Sequence, residues 1–235
     1  MSTPSLGRAS PRGNGDAGAS LPGKSDQIVK IGGKSPLRRR LTLAAARVTT
    51  GAGTLGAQMY PVIRLIGETL KFRGQSLGLL ETHVSHHLCL PWDLDPWMEL
   101  NNGRTLTLYD LGRIPFTLRI GMTQALRAQG WGMTVAGASV RYRRRVRMFQ
   151  RVQMRSRLLG WDQRFFYVEQ SLWRQGEALN HILLRIAATQ QPGILPPVRL
   201  IEAMGHAGQD SPALPDWVQG WIAADSQRPW PPHQG

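Results

Sequence analysis

Asp93-Leu94-Asp95-Pro96-Trp97-Met98-Glu99-Leu100-Asn101-Asn102 compresses three carboxylates and two side-chain amides into ten turn-rich residues. On its N-terminal side, Glu81–Leu90 (ETHVSHHLCL) alternates like a strand and stops at Pro91. On its C-terminal side, 103–129 reads as helix. Leu106, Tyr109, Leu111, Ile114, Leu118, Met122 and Leu126 supply apolar residues at three- and four-residue spacing. Pro115 is expected to kink or divide that helix, and Gly130 to end it. Four strand-like runs follow, at 133–144, 150–159, 164–173 and 178–189, with Gly160-Trp161-Asp162 and Arg174-Gln175-Gly176-Glu177 marking the last two turns. A strand, a long helix and then four consecutive antiparallel strands predict an α+β domain whose sheet packs on one central helix.

The same ten residues carry the candidate chemistry. Asn101 or Asn102 can cap the helix, and Gly103 lets a substrate approach the backbone. The free N–H groups of that helix end suit a developing negative charge. A carboxylate a few residues upstream, held close to the group being polarised, can attack a carbonyl or activate water. An acidic loop with an ordinary N-cap fits the spacing as well.

The run D-x-D-P-x-x-x-x-N-N, between a first strand and a long helix, resembles the signature of hotdog-fold acyl-CoA thioesterases. It is similar to the 4-hydroxybenzoyl-CoA thioesterase-like group, whose usual form is D-x-D-x-x-G-H-x-N-N. The likeness spans roughly 81–189. It implies a hotdog fold, an antiparallel sheet wrapped around one long central helix. It also implies a homodimer or homotetramer with sites at the subunit interface, and hydrolysis of acyl-CoA without metal or organic cofactor. By the resemblance, Asp95 is the catalytic aspartate, nucleophile or general base. Asn101 and Asn102 open the central helix, whose amides polarise the thioester carbonyl, and Asp93 is a structural aspartate. Two positions depart from the pattern: Met98 stands where the family has Gly, and Glu99 where it has His. Glu99 either replaces or assists Asp95, or marks a narrowed or lost activity.

Charge is unevenly spread. The chain has 235 residues, 29 Lys+Arg against 15 Asp+Glu, and a formal charge of +14. Residues 1–50 hold nine basic and two acidic groups, and 141–157 hold eight arginines and no acid. In Arg151–Leu158, period two sends Arg151, Gln153, Arg155 and Arg157 to one face and Val152, Met154, Ser156 and Leu158 to the other. That arginine face is either a solvated sheet surface or a rim for the phosphates of coenzyme A, with Arg151, Arg155 and Arg157 as substrate-binding candidates. Few aromatics interleave these charges, so no nucleic-acid partner is expected.

Other motifs have weaker context. Gly74-Gln75-Ser76-Leu77-Gly78 fits the G-x-S-x-G elbow of serine hydrolases, but lacks the buried strand that must precede the serine. In His83-Val84-Ser85-His86-His87, neighbours face opposite ways, and His83 and His87 lie about 13 Å apart on a strand, too far for one ion. No metal site is therefore expected. The single Cys89 excludes an intramolecular disulfide framework, and no apolar run is long enough to span a bilayer, so a reduced, cytoplasmic setting is expected.

The chain divides into a disordered basic tail (1–56), a short amphipathic helical segment (57–80), a hotdog domain (81–190) and a Pro-rich C-terminal extension with one short helix near Asp216 (191–235). The amphipathic segment either lies on the domain or touches a membrane surface, and peripheral membrane contact through the basic N-terminal region is one alternative. The leading expectation is acyl-CoA hydrolysis centred on Asp95. Its rivals are a non-catalytic hotdog acyl-binding or scaffold protein, and a basic protein that binds nucleic acid or anionic lipid.

Overall fold

Alternation in the first strand sets the frame. In the computed structural model, which describes residues 60–232, β1 (His83–Leu88) turns His83, Ser85 and His87 inward and Val84, His86 and Leu88 outward. The expected tail at 1–56 lies outside the described residues, as do residues 57–59 and 233–235. Ahead of β1, helix α1 (Val62–Lys71) lies on the domain: Tyr60 donates a hydrogen bond to Asp110, and Arg64 donates to the Leu88 carbonyl. Phe72, just after α1, stands edge-on to His83 at 4.5 Å.

A turn of 3₁₀ helix at Pro91–Asp93 leads through the acidic loop into α2 (Asn102–Arg119). The Asn101 side chain caps α2 by accepting the Arg104 N–H at 3.0 Å. Of the two outcomes expected at Pro115, a kink or a division, the division does not occur: α2 runs unbroken past it. Leu111 and Phe116 on either side of it are fully buried, and this packing outweighs one missing backbone hydrogen bond. The break comes instead at Gly121, whose φ of 81° re-aims the chain into α3 (Met122–Gln129). Gly130, also left-handed, ends α3 as the sequence suggested.

Strands β2 (Gly132–Tyr142), β3 (Arg151–Trp161), β4 (Phe166–Arg174), β5 (Glu177–Gln190) and the short β6 (Gly193–Leu195) complete one antiparallel sheet. The order is β1-β3-β4-β5-β2, with β6 on β5. Gly160 and Trp161 belong to β3, so the β3–β4 turn begins later than expected, at Asp162, whose side chain accepts the Arg164 and Phe165 N–H groups. Bulges in β2, β3 and β5 sharpen the twist. The inner face closes over α2 through Met154, Leu158, Leu172, Ile182 and Leu184. Gly112 sits at the tightest approach, where a Cβ would lie 2.4 Å from the Met154 sulfur. One long helix held in a curled antiparallel sheet is the hotdog arrangement.

The C-terminal region departs from the expected extension with one helix. It carries β6 and two helices, α4 (Pro197–Ala203) and α5 (Asp216–Ser226). Pro197 takes the first position of α4, where its fixed φ favours helix, and Leu195, Leu200 and Ile201 are buried in the main core. Helix α5 starts after Pro215 with Asp216 in its first turn, and packs Val218 against Tyr167 and Leu183 on the outer sheet face.

Candidate active site

Asp93 anchors the acidic loop from beneath. Its fully buried carboxylate accepts Arg64 Nη1 at 2.8 Å, Arg104 Nε at 2.8 Å and the Leu90 N–H at 3.0 Å, while its carbonyl accepts the Asn101 N–H. Two helices and the strand exit are thereby tied to one residue.

Above that anchor, Asp95 to Glu99 form a tight loop. The Asp95 N–H donates to the Glu99 carbonyl at 2.8 Å, and Asp95 Oδ1 accepts the N–H groups of Trp97 (2.9 Å) and Glu99 (3.3 Å). No protein donor among the described residues reaches Asp95 Oδ2. Met98 adopts φ 58°, a left-handed conformation natural to glycine, so the position where the resembled family has Gly keeps a glycine-type backbone. The Glu99 carboxylate forms an ion pair with Arg145 at 3.0 Å, and its backbone bridges Arg147. Leu100 N–H donates to the Val146 carbonyl, stitching the loop to the segment between β2 and β3.

A polar groove of about 190 Å³ opens here, bordered by Asp95, Glu99, Asn102, Thr105, Tyr142 and the arginines 143–145. Asp95 and Glu99 thus meet the first turn of α2. Tyr142 donates its hydroxyl to the Asn102 carbonyl at 3.0 Å, fixing that turn from β2. The N–H groups of Asn102 and Gly103 have no acceptor among the described residues, as the first turn of a helix requires. Asn101 is occupied as the cap. Gly103 is exposed beside it, where a Cβ would sit 3.3 Å from Asn101 Oδ1, and does not border the groove.

The other predicted residues go elsewhere. Arg151, Arg155 and Arg157 point outward from β3, as period two required, and within the chain none joins Asp95. Arg155 stacks over Trp173 at 4.7 Å, and Arg157 pairs with Glu169 at 2.6 Å. Both line an outer-face groove of about 550 Å³ that also holds His181, while Arg151 borders a third depression near Phe149. The arginines at the Asp95 groove are Arg143, Arg144 and Arg145, from the first half of the same basic block. Their proximity to Asp95 follows from the pairing of the loop with 146–147, which no local period reveals.

The remaining motifs acquire structural roles. Ser76 is exposed in coil after α1, with none of the strand–turn–helix setting of a nucleophile elbow. Burial, reinforced by Arg119, lowers the His83 pKa to about 4, and burial with nearby Arg64 lowers that of His87 to about 3. His83 Nδ1 therefore accepts from Arg119 at 2.9 Å, and His87 shares a hydrogen bond with Ser85. Burial pushes the Cys89 thiol up to about 11, far from a reactive thiolate. No group of three or more His, Cys, Asp or Glu among the described residues could hold a metal ion.

The sequence profile of the thioesterase-like superfamily matches residues 89–222, more than half of the chain, and takes in the acidic loop, α2 and strands β2 to β6. The chain belongs to the thioesterase-like superfamily. Protein THEM6 of Xenopus laevis is 33% identical to it over 146 residues, covering 61% of this chain and 69% of that one. Protein THEM6 of Danio rerio is 27% identical over 151 residues, covering 64% and 74%. Among solved structures, the probable thioesterase YbaW of Escherichia coli has a TM-score of 0.49 at 16% identity, covering 54% of this chain and 99% of that one. The superfamily match runs on to residue 222, so it takes in β6, α4 and much of α5.

Proposed function

We propose that this member of the thioesterase-like superfamily hydrolyses the thioester of an acyl-CoA to the free acid and coenzyme A, with Asp95 as general base. The observation that carries the reading is the single groove shared by Asp95 and the first turn of α2. Asp95 Oδ2 takes a proton from water as the water oxygen bonds to the thioester carbon. Negative charge gathers on the former carbonyl oxygen, where the N–H group of Asn102 and the positive end of α2 favour it. The carbon–sulfur bond then breaks, and the departing thiolate recovers the proton from Asp95. Direct attack by Asp95 through a mixed anhydride uses the same placement. Glu99, held by Arg145, orients the water.

Arg143 is the groove arginine whose side chain has no acidic partner among the described residues, whereas Arg144 pairs with Glu177 and Arg145 with Glu99. It is the nearest candidate for a coenzyme A phosphate. The reading includes a homodimer: among the described residues β2 pairs only with β5, and a second copy would cover its eleven-residue outer edge.

Thiol release from a panel of short, long and aromatic acyl-CoAs tests this. The unaltered chain should turn over at least one of them, and Asp95→Asn should lower kcat by about 100-fold or more. Charge reversal at Arg143 should raise KM with little change in kcat. A chain that binds acyl-CoA without hydrolysing it, or an Asp95→Asn variant as fast as its parent, overturns the proposal.

A further inference from the structure

Helix α1 is amphipathic in the wrong sense for a surface helix. At 100° per residue, Val62, Ile63, Ile66 and Leu70 fall on one arc, and Arg64, Leu65 and Glu68 on the opposite one. The charged arc faces the protein. Arg64 reaches the buried Asp93 and the Leu88 carbonyl, Glu68 Oε2 is enclosed, and Leu65 packs against the core. The aliphatic arc faces out, with Val62 43%, Ile63 81%, Ile66 54% and Leu70 59% exposed. No residue of α1 is buried.

This orientation is locked. Rolling α1 to hide its aliphatic side chains would pull Arg64 away from Asp93, removing one of the two guanidinium partners of a buried carboxylate. The outward arc therefore needs an outside partner. Lys71 and Arg73 are exposed at its C-terminal end, and no acid lies on the arc because Glu68 is turned inward. Upstream, residues 1–50 bring nine basic against two acidic groups to the same end of the chain. Four aliphatic side chains flanked by cations suit an interfacial helix on anionic lipid. Self-pairing through the outward arc of this ten-residue helix would cover far less area than the roughly 800 Å² per partner of a stable interface.

We infer that the outward face of α1 is a peripheral docking surface for an anionic bilayer. Ile63, Ile66 and Leu70 enter the boundary between headgroups and acyl chains, and Lys71 and Arg73 pair with lipid phosphates.

The test uses the full chain carrying Ile66→Cys, labelled with a polarity-sensitive fluorophore; the buried Cys89 stays unlabelled. Vesicles of phosphatidylcholine with phosphatidylserine should shift the emission to the blue, and phosphatidylcholine alone should not. In the unlabelled chain, Ile63→Ser with Leu70→Ser should weaken co-sedimentation with the anionic vesicles about tenfold or more, without lowering Tm, because both side chains are exposed. Four results overturn the inference: no response to either vesicle, equal response to both, emission already blue-shifted without lipid because this chain or a second copy covers the face, or undiminished binding of the double variant. None of these readouts depends on thioester hydrolysis.

Discussion

Asp93→Asn changes one atom's element and one charge, yet should be among the most disruptive single changes in the domain. The native carboxylate is fully buried and accepts three hydrogen bonds, two of them from the guanidinium groups of Arg64 and Arg104. Hydrogen bonds to charged groups contribute about 1.5–3 kcal/mol each, and removing one partner of a buried ion pair costs about 3–5 kcal/mol. Asparagine keeps one acceptor oxygen but sets an NH₂ group against a guanidinium. Because Arg64 is partly solvated, the lower part of that range applies, about 3 kcal/mol. For a folded unit of this size that corresponds to a Tm lowered by about 10 °C. Urea unfolding gives the free energy and scanning calorimetry the Tm. The residue also ties α1, the strand exit and α2 together, so turnover of any acyl-CoA substrate should fall even where the variant remains folded. A loss under about 1 kcal/mol would refute the reasoning, because it would mean that the two arginines are satisfied without the Asp93 charge.

Two further outcomes follow from the loop and from β1. Met98→Gly should stabilise the chain by about 1 kcal/mol, since position 98 is held at φ 58° and its side chain is mostly exposed; unfolding free energy checks it, and a loss would show that Met98 is held by packing instead. His83 and His87 have native pKa values lowered to about 4 and about 3, so below their ordinary value near 6.5 the unfolded chain binds protons that the native chain refuses. Stability therefore falls with pH from about 6.5 toward those values, and near pH 5 the slope should approach two protons, about 2–3 kcal/mol per pH unit. A slope below one proton, from unfolding measured at several pH values, contradicts the burial of neutral histidines.

Much of the architecture was legible because it is written in local periods. Alternation in 151–158 assigned each β3 side chain to its face, and Asn101 and Gly130 marked helix ends through capping chemistry that involves only neighbours. Pro115 misled because a propensity argument prices one lost hydrogen bond without the packing of Leu111 and Phe116 around it. The C-terminal region misled similarly: its prolines suggested irregular chain, but Leu195, Leu200, Ile201 and Val218 find buried places on a sheet laid down earlier.

For the candidate site, the sequence alone pointed to the acidic loop, the capped helix and the two carboxylates Asp95 and Glu99, which the structure sets at one groove. Those choices rest on contacts between residues only a few positions apart. The tertiary structure alone decided which arginines accompany them. The pairing of Leu100 with Val146 brings Arg143–Arg145 to Asp95, while the pleat of β3 carries Arg151, Arg155 and Arg157 to the opposite side of the sheet. It also decided which way α1 faces, because Arg64 must reach across 29 residues of chain to Asp93. A contact between distant positions has no period to announce it, and its existence depends on the packing of everything between.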